Sequence, residues 1–190
     1  MSKVNTKYVA RIDADDIYFV NKFMKQINFL EKNNEVVLIG TNANYMSENG
    51  KISKIMINVP SDHETILNNL FKKKRAIIQS TIVARADILK KIGGYRENVY
   101  PEDYDLFFRI SEIGKIHNLD ESLASIRIHK SFSHYNLNLL IKNHQKLIES
   151  YNVKNNIQKN KVSSFASIYL NRIGLYYYLN GNKIMALLFY

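Results

Sequence analysis

Apolar positions in this chain alternate between short continuous runs and helical spacing, and the alternation predicts elements in turn. Lys7 to Ile12 (KYVARI) reads as a short strand, and Asp13-Ala14-Asp15-Asp16 follows it at once. Phe19 to Leu30 carries Val20, Phe23, Met24, Ile27 and Leu30 on one helical stripe, and Val36 to Ile39 is a compact strand-like run. Tyr45-Met46 and Lys54 to Ile57 flank Glu48-Asn49-Gly50, where Asn-Gly signals a hairpin turn. Ser61-Asp62-His63-Glu64 has the form of a capping box, with Ser61 as the cap of a helix reaching about Phe71.

Further on, Ala76 to Ala84 predicts a strand and Arg85 to Ile92 a helix ended by Gly93-Gly94. Tyr104 to Ile113 is helical in period and stops at Gly114; Ile116 to Leu119 and Ser122 to Ile128 are extended candidates. From about Asn136 the chain reads as two or three helices joined by the polar stretch Asn152 to Lys161. Strands alternating with helices predict an α/β domain over residues 1–134, followed by a helical tail over 135–190.

Charge sharpens that division. The 190 residues carry 27 Lys and Arg against 17 Asp and Glu, a net charge of +10. The tail alone holds seven basic residues against the single acid Glu149. Such an excess favours anionic partners without choosing among nucleic acid, phosphorylated small molecules and an acidic membrane face. The composition, 46% hydrophobic and 23% charged, is that of a chain with a core to bury. Absence of cysteine excludes disulfides, thiolate zinc sites and a cysteine nucleophile. No apolar run approaches the ~18 residues of a membrane span, and no signal peptide opens the chain. The expectation is a cytoplasmic protein with a peripheral position at the inner membrane face as a variant.

Two acidic groups carry the candidate chemistry. Three carboxylates within four residues after a strand repel one another unless a cation or arginine compensates them. In an extended chain Asp13 and Asp15 would point to one side, where Mg²⁺ takes one or two carboxylates plus phosphate oxygens. An EF-hand does not fit, because its turn glycine would be Tyr18 and its last ligand Met24. The plain alternative is a solvated acidic turn capping a helix that starts near Tyr18. The second group, Glu102-Asp103 with Asp105, could simply favour the start of a helix through its dipole. Otherwise one of them is a general base for an acceptor hydroxyl. Arg127 and His129 alternate on the following strand and so share a face; His129 could complete a metal site, while His134 reads as loop.

Taken together, Tyr8 to Ile17 (YVARIDADDI), Gln79 to Tyr95 (QSTIVARADILKKIGGY) and Pro101 to Ser133 (PEDYDLFFRISEIGKIHNLDESLASIRIHKSFS) resemble the family-2 glycosyltransferases in order and spacing. The resemblance implies an incomplete GT-A, Rossmann-like domain lacking the N-terminal nucleotide-binding half, with a separate polypeptide as one possible source of that half. It implies that Asp13 and Asp15, with His129, bind a divalent metal (Mn²⁺ or Mg²⁺), and that Asp16 and Arg127 lie at the donor diphosphate. It places Asp103 as catalytic base beside Glu102. The implied reaction moves a sugar, with inversion, from a nucleotide-sugar donor to a saccharide or lipid-linked acceptor of cell-surface polysaccharide synthesis.

Two other readings stand beside it. Lys72-Lys73-Lys74-Arg75 and the Tyr-rich tail could bind nucleic acid, or the chain could be a non-catalytic remnant of the fold. Phe165 to Leu179 could lie at a membrane interface, although packing on the domain is the default for such a helix.

Overall fold

The computed structural model describes residues 3–72, 74–129, 137–155, 174–182 and 186. Its centre is a pair of long strands, β3 (Val36–Met46) and β6 (Lys115–Arg127), which run parallel. One edge of β3 is shared by two antiparallel neighbours: β5 (Val83–Arg85) lies on its first half and β4 (Ile52–Ile57) on its second. The short strands β1 (Tyr8–Ala10) and β2 (Ile17–Tyr18) close the two sides, antiparallel to β5 and to the end of β6. The sheet order is β1-β5-β3-β6-β2, with β4 off that path. The sheet is mixed, and β3–β6 is its one parallel pair among the described residues.

Helices α1 (Lys22–Lys32), α2 (His63–Phe71), α3 (Ala86–Lys91), α4 (Glu102–Ser111) and α5 (Leu137–Asn155) surround it. Ile82 and Ala84 pack into one core with Ile66, Leu70, Leu106, Phe107 and Ile110, whereas Val83 packs with Leu30, Val36 and Ile39. Because successive strand residues point to opposite faces, α2 and α4 cover one face of the sheet and α1 the other. A strand covered on both faces should be apolar throughout. β3 is buried along almost its whole length, yet it contains Thr41, Asn42 and Asn44.

Those polar residues split the sequence expectation into two strands, and tertiary hydrogen bonds rejoin them. The Asn42 amide donates to Asp120 (3.1 Å) and its oxygen accepts from Val59 N (2.9 Å), while Asn44 donates to Ser53 O (3.2 Å). The two extended candidates after Gly114 are likewise one strand, with register shifts against β3. The strand expected at Ala76 to Ala84 contracts to β5, preceded by a 3₁₀ turn at Gln79–Thr81. Asp62, not Ser61, caps α2, accepting from Thr65 N at 2.8 Å. Ser61 is held elsewhere, its carbonyl accepting from Asn118 N at 3.1 Å.

The beginning of the tail helix packs on the domain. Ile148 and Tyr151 of α5 join the main core, and Tyr151 stacks on Phe108 at 4.7 Å. α5 runs through Asn152–Asn155, where the sequence suggested a polar joint; the rest of that stretch lies outside the described residues. Within Phe165 to Leu179, residues 174–179 are helical and Leu175 is buried beside Ala43, Tyr45 and Ile57. Residues 165–173, and His134, lie outside the described set. Among the described residues no helix is long and apolar enough to cross a membrane.

Candidate active site

The acidic run after β1 is a turn rather than an extended strand. Asp16 N donates to Asp13 O (3.2 Å), and the Tyr18 hydroxyl accepts from Asp13 N (2.7 Å). The chain then enters β2, pairing Ile17 with Ser125 and Tyr18 with Ala124. The helix expected from Phe19 therefore begins at Lys22, capped by Asn21 with no side-chain hydrogen bond. The acidic run does not cap it, although it is a turn with Asp15 exposed.

Each aspartate in the turn has its own environment. Asp13 Oδ1 takes both Nε and Nη2 of Arg11, at 3.1 and 2.9 Å. Asp15 is exposed and its Oδ2 contacts His129 Nε2; that bond, above the opposing burial, holds the carboxyl below its ordinary range. Asp16 Oδ1 accepts from Arg127 N at 2.9 Å, whereas its buried Oδ2 has no partner in hydrogen-bond geometry. Burial pushes the Asp16 carboxyl up, against the lowering effects of Arg127 N and the nearby Ser80 hydroxyl. Asp13 and Asp15 thus meet different partners, Arg11 and His129, instead of sharing one side of a strand. No three His, Cys, Asp or Glu side chains converge at metal-ligand spacing among the described residues.

Arg127 ends β6, and its guanidinium donates to three backbone carbonyls. Its Nε donates to Asp15 O (2.9 Å), and its Nη1 to Ser47 O (3.2 Å) and Glu48 O (2.6 Å). It fastens the acidic turn to the β3–β4 hairpin turn, where Gly50 adopts a φ of +86°. A guanidinium so used positions the turn; His129, two residues on, supplies the side chain that meets Asp15.

Glu102 and Asp103 open α4 and are half-buried, with Asp103 Oδ1 accepting from Tyr104 N at 2.9 Å. The third acid of this run behaves differently. Asp105 is buried and binds Arg109 through Nε (2.8 Å) and Nη2 (2.7 Å), and also accepts from the Tyr151 hydroxyl (3.2 Å). Arg109 in turn donates to the carbonyls of Ile92 (2.8 Å) and Gly94 (2.7 Å), fixing the Gly93-Gly94 turn against α4. Both glycines there have positive φ, +77° and +67°, a region disfavoured for side-chain-bearing residues. Tyr95 leaves this turn toward the site.

Arg11 and Tyr95 connect the two acidic groups. Arg11 lies in the field of Asp13, Tyr95 and Glu102, and the Tyr95 phenol lies in that of Arg11, Asp103 and Glu102. Burial first, and then the two acids, raise the Tyr95 phenol, to which Gln79 donates at 3.4 Å. The Asp13–Asp16 turn and the Glu102–Asp103 pair therefore have Arg11 and Tyr95 as neighbours in common. Neither Arg11 nor Tyr95 stood out in the sequence. An arginine two residues before Asp13 was the available signal for the first; nothing local marked the second.

The basic run after α2 is partly spent on structure. Arg75 donates to the Tyr45 hydroxyl (2.8 Å) and lies over that ring, and its carbonyl accepts from Asn69. Lys73 lies outside the described residues.

Residues 1–93 match the family described as Glycosyl transferase family 2. The amylovoran biosynthesis glycosyltransferase AmsE of Erwinia amylovora is 33% identical over 120 residues, which is 63% of this chain and 44% of that protein. The O-antigen biosynthesis glycosyltransferase WbnJ of Escherichia coli is 30% identical over 132 residues, 68% of this chain and 50% of that one. The chain spans about half the length of the curated relatives it matches. Among solved structures, a mannosyltransferase from Pyrobaculum calidifontis, in complex with GDP-Man and Mn²⁺, superimposes with a TM-score of 0.52 at 11% identity. That match covers 99% of this chain and 50% of the other. The family match over residues 1–93, together with these identities to curated glycosyltransferases, makes this chain a member of the family-2 glycosyltransferases, and the fold is GT-A-like.

Proposed function

We propose that this chain forms the diphosphate and acceptor side of a sugar-transfer site, acting on a nucleotide-sugar donor and a saccharide or lipid-linked hydroxyl. The observation that carries the reading is that Arg11, bonded to Asp13, and Tyr95 are neighbours of both the Asp13–Asp16 turn and the Glu102–Asp103 pair. Sugar transfer needs two such centres close together: one that accepts charge on the departing diphosphate, and one that removes a proton from the incoming alcohol. The polysaccharide products named for the two sequence relatives support a cell-surface glycan as acceptor.

The residues at the turn suit a divalent cation. Asp15 and His129 bring a carboxylate and an imidazole into contact, and the adjacent Asp16 holds a buried oxygen without a partner in hydrogen-bond geometry. Asp15 and His129 would hold the ion with Asp13 in support. Mn²⁺ or Mg²⁺ supplies neutralisation of the charge that develops on the leaving nucleoside diphosphate. Arg127 keeps the turn in shape through Asp15 O and Asp16.

Asp103 acts as base, taking the proton of the acceptor hydroxyl as its oxygen bonds to the anomeric carbon and the carbon–oxygen bond to the diphosphate breaks. One displacement of this kind inverts the anomeric centre. Glu102, at the same helix start and beside Arg11, helps orient the acceptor.

Titration of a nucleoside diphosphate with and without Mn²⁺ tests the reading. Mn²⁺ tightens binding to the wild-type chain, and Asp15→Ala removes that gain. With the other half of the domain restored, Asp103→Asn leaves donor binding nearly unchanged while transfer falls by about 10²- to 10⁴-fold. Equal affinity with and without Mn²⁺ refutes the assignment of the turn; loss of donor binding in Asp103→Asn refutes that of the base.

A further inference from the structure

We propose that the cavity between the end of α3, α4 and α5 is a binding site for a small amphipathic oxyanion, a phosphate or carboxylate head carrying an apolar body. The inference rests neither on the metal nor on the base assigned above. The cavity measures about 680 Å³, the size of a small-molecule site, and it is separate from the acidic turn and the Glu102–Asp103 pair, none of whose side chains lines it.

An imbalance of charge sets its chemistry. Asp105 forms part of the wall and is 1% exposed. Arg109 holds it through Nε (2.8 Å) and Nη2 (2.7 Å), and the Tyr151 hydroxyl donates to it at 3.2 Å. Arg96, whose Nη1 stands 3.5 Å from the same carboxylate, is a second guanidinium beside an anion that already has its counter-charge. At 56% exposure and with so long a contact, Arg96 keeps donors to offer. Lys91, exposed at the end of α3, brings a third cation to the lining, against the one further acid Glu112. A guanidinium fork of this kind matches the paired oxygens of a phosphate or carboxylate, and the lysine adds a point charge.

The rest of the lining asks for something other than an inorganic ion. Ile92, Val99 and Leu147 are half-buried and turn apolar surface toward the same space, which a hydrocarbon body would cover. The wall behind them is rigid, because Arg109 also donates to the carbonyls of Ile92 (2.8 Å) and Gly94 (2.7 Å). Asn98, between Arg96 and Val99, adopts a φ of +61°, a left-handed conformation that asparagine tolerates and that shapes the loop at the cavity.

Calorimetric titration of octyl phosphate, kept below its micelle concentration, against the full 190-residue chain tests the site. Octyl phosphate saturates one site about ten-fold more tightly than inorganic phosphate or octanol, since each of these supplies only half of the contacts. Octanoate binding more tightly than octyl phosphate also supports the site and assigns its head as a carboxylate. Arg96→Gln weakens the amphiphile by about five- to twenty-fold, and Glu112→Gln tightens it by about two- to three-fold. Asp15→Asn and Asp103→Asn bind it as wild type does; a loss there places the ligand at the sugar-transfer site and overturns the proposal. No saturable uptake of either amphiphile overturns it, as does an affinity unchanged in Arg96→Gln with circular dichroism intact, or inorganic phosphate binding as tightly as its octyl ester. Should Arg96→Gln not fold, Lys91→Gln decides, weaker binding supporting the site and equal binding overturning it.

Discussion

Asp105 and Asp103 stand two residues apart in one acidic run, and the structure predicts opposite consequences for their removal. Asp105→Ala strips the counter-charge from Arg109, with the two side chains 1% and 6% exposed. Breaking a buried pair by deleting one partner costs about 3–5 kcal/mol, because the remaining charge stays desolvated. The Tyr151 hydroxyl loses its acceptor as well, about 1 kcal/mol more. Arg96, at 3.5 Å from Asp105 and 56% exposed, adds little. A total of about 5 kcal/mol lowers the melting temperature by about 10–20 °C in a chain of this size. Asp103→Ala removes a half-exposed helix-start contact to Tyr104 N and costs about 1 kcal/mol. Thermal denaturation followed by far-UV circular dichroism, with urea titration as a check, reads both values. If Asp105→Ala melts within about 2 °C of wild type, or Asp103→Ala costs as much, the division of this run into a structural and a chemical carboxylate is wrong.

Two further substitutions probe the interior. Lys22 is fully buried with no hydrogen-bond partner, lying over the rings of Tyr18 (5.3 Å) and Phe23 (4.4 Å), and burial pushes it down to about 8. The folded chain therefore binds this proton less tightly than the unfolded chain. The penalty is complete below pH 8 and is relieved as pH rises from about 8 toward 10.5. Lys22→Met stabilises the protein by about 1–3 kcal/mol at pH 7, and the advantage shrinks by pH 10 in urea titrations. An unchanged midpoint at pH 7 refutes it. Gly40→Ala places a Cβ 2.3 Å from Asn118 Oδ1, displacing an amide that donates to Pro60 O (2.6 Å) and Ala76 O (2.9 Å). It costs about 2–4 kcal/mol alone but less than about 1 kcal/mol in an Asn118→Ala background, as a double-mutant cycle will show.

Residue type and order were enough to find the two acidic groups, the hairpin at Asn49-Gly50 and most helices, because each depends on neighbours a few positions away. What escaped depends on partners far along the chain. Ile17 and Tyr18 read as the approach to a helix until Ser125 and Ala124 pair with them and make a strand. Thr41 to Asn44 read as a break in a strand until Asp120, Val59 and Ser53 satisfy their amides. The acids of the Glu102 run looked alike, although the four-residue spacing of Asp105 and Arg109 was a visible hint of an ion pair. The backbone partners of Arg127 at Asp15, Ser47 and Glu48 cannot be inferred from its neighbours in sequence.

Arg127 joins Asp16 across 111 positions of sequence. The carboxylates of the turn can take their final shape only once β6 has been laid down, since loop closure over that distance comes late. During synthesis the acidic turn would remain a loose tether while β3 and the helices collect. Amide exchange at Arg127, whose N–H is held by Asp16, should then report the completion of the whole sheet rather than any local event.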